Sequence, residues 1–150
     1  YGGREDAMNR VAPLGPVYQA GTLSGNPLAV SAGLATLEQL VPSLYEKLEH
    51  TSAALERGLS RVAADAGATV RVQRVGSMLT VFFRAEPVKN WTDAAACDTR
   101  QFATWHAALL SRGVYWPPSQ FEAAFVGAAH SALDVEQTVE AAANAFALVK

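Results

Sequence analysis

Apolar residues recur every three or four positions in several stretches of the chain, and this spacing predicts helices. The first begins after Asn26-Pro27, because asparagine caps a helix and proline fits its first position. The second begins with Ser43 as its cap and ends at Gly67, and its expected core face consists of Leu44, Leu48, Thr51, Leu55, Leu59, Val62 and Ala66. Two more helices are predicted, one over about Asp98–Arg112 and one that begins with Asp134 as its cap.

Short segments between these helices have the composition of strands. Thr69–Gln73 alternates in polarity, Met78–Phe83 is rich in β-branched and aromatic residues, and Gly76-Ser77 supplies the turn between them. Two further strands are predicted at Val114–Trp116 and Ala124–Val126. This order of elements predicts the α+β class, a small antiparallel or mixed sheet with helices packed on one face.

Two regions lack a sustained period. Residues 1–25 are expected to form an ordered loop with one short helix near Glu5–Val11, and residues 84–97 are expected to form a loop. The start, Tyr1-Gly2-Gly3, has neither an initiator Met nor an apolar signal segment. We therefore expect the sequence to begin inside a longer chain.

Composition excludes several classes of protein. Half of the 150 residues are hydrophobic and 17% are charged, which is typical of a folded domain, and the net charge of −2 argues against nucleic-acid binding. There is no apolar run of 18 residues, so no membrane span is expected. The single Cys97 cannot form an internal disulfide, and a structural thiol is expected there. His50, His106 and His130 lack the spacing of metal ligands, so no metal site is predicted.

Two stretches carry candidate chemistry. In the first, Gly21-Thr22 places backbone N–H groups and a hydroxyl in a loop, where they could bind a phosphate. The alternative is an ordinary entrance to a capped helix. The second, Pro117-Pro118-Ser119-Gln120-Phe121-Glu122, places the Glu122 carboxylate among apolar residues just before a predicted strand. The alternative there is a solvated loop glutamate.

Three longer segments carry a resemblance to a known family: GPVYQAGTLSGNPLAVSAGLATL, GSMLTVFF and GVYWPPSQFEAAFVGAAHS. Together they resemble the C-terminal third of the glutamate-1-semialdehyde 2,1-aminomutases, which are fold type I enzymes that use pyridoxal phosphate. The resemblance covers nearly the whole chain in the family's order. It implies that residues 41–150 are the small C-terminal domain, and that residues 1–40 are an edge and interface segment of the large cofactor-binding domain.

The resemblance also implies an activity, the conversion of glutamate 1-semialdehyde to 5-aminolevulinate for tetrapyrrole biosynthesis, by a cytoplasmic homodimer. Pyridoxal 5'-phosphate, in its pyridoxamine form during the cycle, would be the cofactor. Gly21 and Thr22 would bind the phosphate of the cofactor in the partner subunit, and Glu122 would face the substrate. The family's Schiff-base lysine precedes the residues matched by Gly2-Gly3-Arg4, so no catalytic residue is expected in this chain, which should be inactive alone.

Two other functions stay open. An ordinary class III aminotransferase commonly holds a substrate carboxylate with an arginine of its C-terminal domain, yet Gly113–Val149 contains neither Arg nor Lys. Glu122 would repel such a carboxylate. A non-catalytic dimerisation or regulatory module would explain the missing lysine without a longer chain.

Overall fold

The computed structural model describes residues 2–149. Tyr1, the first residue of the first predicted domain, and Lys150, the last residue of the second, lie outside the described residues. Contacts divide the chain into two compact units, residues 1–40 and 41–150. The first unit contains α1 (Glu5–Met8) and α2 (Pro27–Glu38). The second contains α3 (Pro42–Asp65), β1 (Arg71–Val75), β2 (Met78–Phe82), α4 (Trp91–Ala95), α5 (Thr99–Leu110), β3 (Ala124–Phe125) and α6 (Ala132–Phe146).

The first unit has a well-capped helix but no core. The Asn26 Oδ1 accepts hydrogen bonds from the N–H groups of Leu28 and Ala29, at 3.0 and 3.1 Å, which confirms the predicted start of α2. None of residues 2–40 is buried, and Val17, Leu23 and Leu28 are 52, 68 and 82% exposed. These apolar side chains therefore have no shelter within the unit. Its place at the edge of a larger domain stays a prediction.

The core of the second unit lies between the sheet and the helices α3, α5 and α6. Trp105 of α5 is fully buried at its centre, and its ring centroid lies 5.3–6.0 Å from the aromatic rings of Phe83, Phe102, Trp116 and Phe146. Helices α3 and α6 approach each other closely at Gly58, where a Cβ would collide with Val139. This arrangement confirms the predicted α+β class.

The sheet of the second unit is antiparallel, with the strand order β1-β2-β3. Val75 pairs with Met78 across the first turn, and Met78 pairs with Phe125 of β3. Gly76 in that turn has a φ of +57°, which an L side chain rarely adopts. The predicted hairpin is thus confirmed, although β1 begins at Arg71 rather than Thr69.

Two predictions of secondary structure were wrong, one of a strand and one of a loop. Val114–Trp116 is not a strand, because the Trp116 carbonyl oxygen lies 2.9 Å from Nε2 of His106 and its side chain enters the core. Residues 84–97 are not all loop, since Asn90 caps the short helix α4 through a bond from the Asp93 N–H.

Three helix boundaries also differ from their predictions. Val41, rather than Ser43, is the N-cap of α3, because Pro42 occupies the first helical position. At the other end of α3, Ala66 is exposed and does not belong to the core face predicted for this helix. Ser131, rather than Asp134, is the N-cap of α6, and the two side chains form a reciprocal capping box. Helix α1 ends at Met8, before Val11. Within residues 2–149 no helix is both long and apolar enough to cross a bilayer.

Candidate functional site

Gly21 and Thr22 lie in two consecutive tight turns that lead into α2. The Ser24 N–H donates to the Gly21 oxygen at 2.9 Å, and the Asn26 N–H donates to the Leu23 oxygen at 3.1 Å. The N–H groups of Gly21, Thr22 and Leu23, and the Thr22 hydroxyl, donate to no atom of residues 2–149. These free donors lie on an exposed turn, and such a cluster of donors suits an anion.

The turn also depends on the absence of a side chain at Gly21. A Cβ built there would overlap with Oγ of Ser24, which folds back against the Gly21 backbone. An alanine at this position would therefore displace Ser24 or reshape the turn. The absence of a side chain at Gly21 thus leaves the backbone of this turn accessible.

Glu122 lies in the second unit, at the end of a turn formed by residues 119–122. Its N–H donates to the Ser119 oxygen at 3.1 Å, and the Ser119 Oγ accepts from the Phe121 N–H at 3.2 Å. The residue is exposed, and its carboxylate forms no hydrogen bond or ion pair with residues 2–149. The acid is therefore available to a ligand.

Glu122 lines a groove of about 1130 Å³. Its lining includes residues 113–118, Glu122, His130 and several residues of α6. Arg112 also lines the groove, and its Nη1 donates to the Ala108 oxygen at 3.2 Å. The segment Gly113–Val149, which contains neither Arg nor Lys, thus directly follows an arginine that lines the same groove.

Two side chains that sequence reasoning missed hold the turn of Glu122. Gln120 is 2% exposed, and its Nε2 donates to the Ala94 oxygen of α4 at 3.3 Å. The Thr80 Oγ1 of β2 donates to the Glu122 carbonyl oxygen at 3.3 Å. Gln120 lies in the stretch 117–122 that the sequence singles out, but a glutamine in a loop and a threonine in a strand are ordinary occurrences, so the sequence assigned a role to neither.

Cys97 and the ion pairs of Arg74 take part in contacts within the fold. Burial raises the pKa of the Cys97 thiol, which donates to the Asp93 oxygen at 3.5 Å, so the thiol is a poor nucleophile. The Arg74 guanidinium of β1 bonds Glu49 and Glu56 of α3 at 2.8 Å each. The hydrogen bond from Arg74 lowers the pKa of Glu49. Between residues 2 and 149, no cluster of three His, Cys, Asp or Glu side chains could hold a metal ion.

Gly21 and Thr22 belong to the first unit and Glu122 to the second, and each group of residues is described within its own unit. The first offers donors to an anion. The second offers a carboxylate to a cationic or hydroxyl group.

Comparisons with known sequences give one family over most of the chain. The profile of a family described as aminotransferase class III matches residues 1–126. A glutamate-1-semialdehyde 2,1-aminomutase of Sorangium cellulosum is 62% identical over 147 residues, which are 98% of this chain and 34% of the relative. Another from Thermus thermophilus is 57% identical over 148 residues, 97% of this chain and 35% of the relative. The chain therefore spans about a third of the length of these curated relatives.

Solved structures share the fold. A glutamate-1-semialdehyde-aminomutase from Pseudomonas aeruginosa, in complex with PMP, matches with a TM-score of 0.77 at 25% identity, over 91% of this chain and 31% of that one. An omega-transaminase from Sphaerobacter thermophilus matches with a TM-score of 0.74 at 25% identity, over 99% of this chain and 34% of that one.

Proposed function

Because this chain belongs to the class III aminotransferase family, we propose that it is the C-terminal third of a glutamate-1-semialdehyde 2,1-aminomutase. The complete enzyme would convert glutamate 1-semialdehyde to 5-aminolevulinate. The observation that carries this function is the identity of 52–62% to enzymes of that name over nearly the whole chain. The solved structures do not separate the two activities, because an omega-transaminase and an aminomutase both match at 25% identity, so the sequence relatives carry the proposal.

The turn at Gly21-Thr22 fits the phosphate of pyridoxal phosphate. Three consecutive backbone N–H groups and one hydroxyl are free of bonds to residues 2–149, and the space beside Gly21 admits no side chain. Hydrogen bonds from such donors to a phosphate are charge-assisted and strong. When bound, the cofactor supplies an electron sink for the movement of the amino group. Gly21, Thr22 and Leu23 anchor it and contribute no proton to the reaction.

Glu122 would recognise the amino group of the substrate. Its exposed carboxylate lines the groove and can accept hydrogen bonds from an ammonium group, whereas it repels a carboxylate placed at the same point. An aminomutase must keep a molecule with two amino groups in place, and an acidic groove favours that species. Arg112 lines the same groove, so it can hold the substrate's single carboxylate at a separate point.

The uncovered apolar surface of the first unit suits a homodimer. As a separate proposal, we place the complete enzyme in the cytoplasm. Leu28, Val30, Leu34 and Leu37 of α2 are all more than half exposed. Apolar residues on this scale are covered in stable proteins. A free-standing regulatory module would expose the same surface to water, whereas a dimerisation module would cover it, so this surface disfavours only the regulatory form of that alternative.

A product assay tests the function. The complete enzyme containing this chain is incubated with glutamate 1-semialdehyde alone, without any added amino donor or keto acid. Formation of 5-aminolevulinate is expected, since the amino group stays within one molecule. The proposed function fails if the enzyme forms product only when a separate amino donor and keto acceptor are supplied, because that requirement defines an ordinary aminotransferase.

A further inference from the structure

Gln120 is a buried polar residue whose place in the core is not explained by stability. It is 2% exposed, and its Nε2 donates to the Ala94 oxygen at 3.3 Å. Its Oε1 is fully buried and has no hydrogen-bond partner within residues 2–149. An unsatisfied buried acceptor destabilises a fold, and an apolar side chain of the same volume avoids that cost. The glutamine amide must therefore serve something other than packing.

The turn that contains Gln120 is held from two sides. On one side, α4 supplies the Ala94 oxygen for Gln120 and the Trp91 ring, whose centroid lies 5.0 Å from that of Phe121. On the other side, β2 supplies the Thr80 hydroxyl, which donates to the Glu122 carbonyl oxygen at 3.3 Å. The backbone on both sides of the Glu122 side chain is thus fixed, while the carboxylate itself stays exposed to the groove.

We propose that Gln120 is a positioning residue, which holds the Glu122 carboxylate in the groove through its bond to α4. The role rests on the function proposed above for Glu122. The amide of Gln120 ties the turn to the Ala94 carbonyl, two residues before the acid that would meet the substrate. Thr80 completes the same restraint from the sheet. Small displacements of a group that contacts substrate lower activity strongly, so the restraint acts on activity more than on stability.

The test is Gln120→Met in the complete enzyme, with Gln101→Met as the matched control. Gln101 is a half-buried glutamine of α5 whose side chain forms no hydrogen bond within residues 2–149. We expect Gln120→Met to unfold at the same temperature or higher, to exchange the amides of 119–122 faster, and to lose about ten- to a hundredfold in kcat/KM. The control should change none of these. Unchanged exchange and unchanged kcat/KM in Gln120→Met would overturn the role.

A double-mutant cycle separates this role from the function of Glu122. If Gln120 acts through Glu122, Gln120→Met has no further effect on kcat/KM in a Glu122→Gln enzyme. Multiplied losses in the double variant would show that Gln120 acts elsewhere, and the role would be rejected. If Glu122→Gln lowers kcat/KM but Gln120→Met does not, the role fails while the proposed function stands. If Glu122→Gln has no effect, the proposed site at Glu122 fails, and the role fails with it.

Thr80→Val provides a second variant in case Gln120→Met does not fold. Valine keeps the shape of the buried threonine and removes the bond to the Glu122 carbonyl oxygen. Faster exchange at 119–122, with a loss of kcat/KM that is absent from the Glu122→Gln background, is the expected result. If exchange and kcat/KM are both unchanged, the contacts of this turn do not position Glu122, and the inference is wrong.

Discussion

The Nε2 atom of His106 lies 2.9 Å from the carbonyl oxygen of Trp116, so the hydrogen bond that a neighbouring strand would give this carbonyl comes from a helix side chain. The His106 ring also stacks on Phe102, with ring centroids 6.0 Å apart. This contact fixes the beginning of the loop that leads to Glu122.

Replacement of His106 by phenylalanine should keep the stacking and remove the bond. The Trp116 oxygen then lacks a donor, and we expect the free energy of unfolding to fall by about 1–2 kcal/mol. The shift of the urea midpoint at constant m-value measures this loss. His50→Phe is the control, because His50 is exposed on α3 and its side chain forms no hydrogen bond within residues 2–149. Equal midpoints for the two variants would contradict the structural role of His106.

Thr22→Val should weaken retention of the cofactor by the complete enzyme. Valine keeps the volume of threonine but removes a donor to the phosphate, a change of about 1–3 kcal/mol for a bond to a charged group. Equilibrium titration of the cofactor-free enzyme with pyridoxal phosphate measures the change. Thr36→Val is the control, since the Thr36 hydroxyl donates to the Ala32 oxygen within α2. An unchanged affinity in Thr22→Val would exclude the turn as the phosphate site.

Glu122→Gln should impair the aminomutase reaction and admit ordinary amino acids as amine donors. The substitution keeps the shape of the side chain and removes the charge that repels a carboxylate. Rates with glutamate 1-semialdehyde and with an added amino acid plus keto acid measure both effects. Glu136→Gln, an exposed position of α6 outside the groove, is the control. A variant with the activities of the wild type would remove Glu122 from the site.

Glu49 should stabilise the fold in a pH-dependent manner. The bond from Arg74 lowers the pKa of Glu49 in the folded state from its usual 4.5. The stabilisation is therefore fully present above pH 4.5 and is lost as the pH falls through the lower folded value. Melting temperatures of the wild type and Glu49→Gln between pH 7 and pH 3 should converge towards the acid end. A gap that stays constant, or one equal to that of the exposed Glu46→Gln, would contradict the assignment.

The 150-residue chain by itself should show no catalysis. The Schiff-base lysine implied by the family resemblance is not among Lys47, Lys89 and Lys150. After incubation with excess pyridoxal phosphate and dialysis, no stoichiometric visible absorbance band should remain. Weak adducts at exposed amines are removed by dialysis and serve as the internal control. A dialysis-resistant band on this chain alone would place the cofactor-binding lysine within it.

Local signals in the sequence predicted the elements that depend on local chemistry. Asn26-Pro27 starts α2 as expected, because the cap and the proline act within one turn of helix. Gly76 marks the hairpin for the same reason. Val114–Trp116 has the pattern of a strand, but the preceding helix α5 supplies its hydrogen bond through His106, ten residues earlier, and the strand pattern does not contain that information.

The site was predictable only in part. Gly21, Thr22 and Glu122 followed from motifs and from a family resemblance, and their binding roles stay predictions. The restraint on Glu122 by Gln120 and Thr80 depends on contacts with α4 and β2, 26 and 42 residues away in sequence. Such contacts exist only after the chain has folded, which is why periodicity and composition could not indicate them. Arg112 ends the predicted helix one residue before the arginine-free segment, and only the folded chain brings it to the groove.

The exposed apolar surface of α2 affects how this part of the chain folds. A capped helix of twelve residues without tertiary packing is only marginally stable in water. Its helicity must therefore come from the surface that covers Leu28, Val30, Leu34 and Leu37. For residues 2–40, we expect acquiring structure and being covered to be one coupled event, which includes the turn at Gly21-Thr22 that precedes α2.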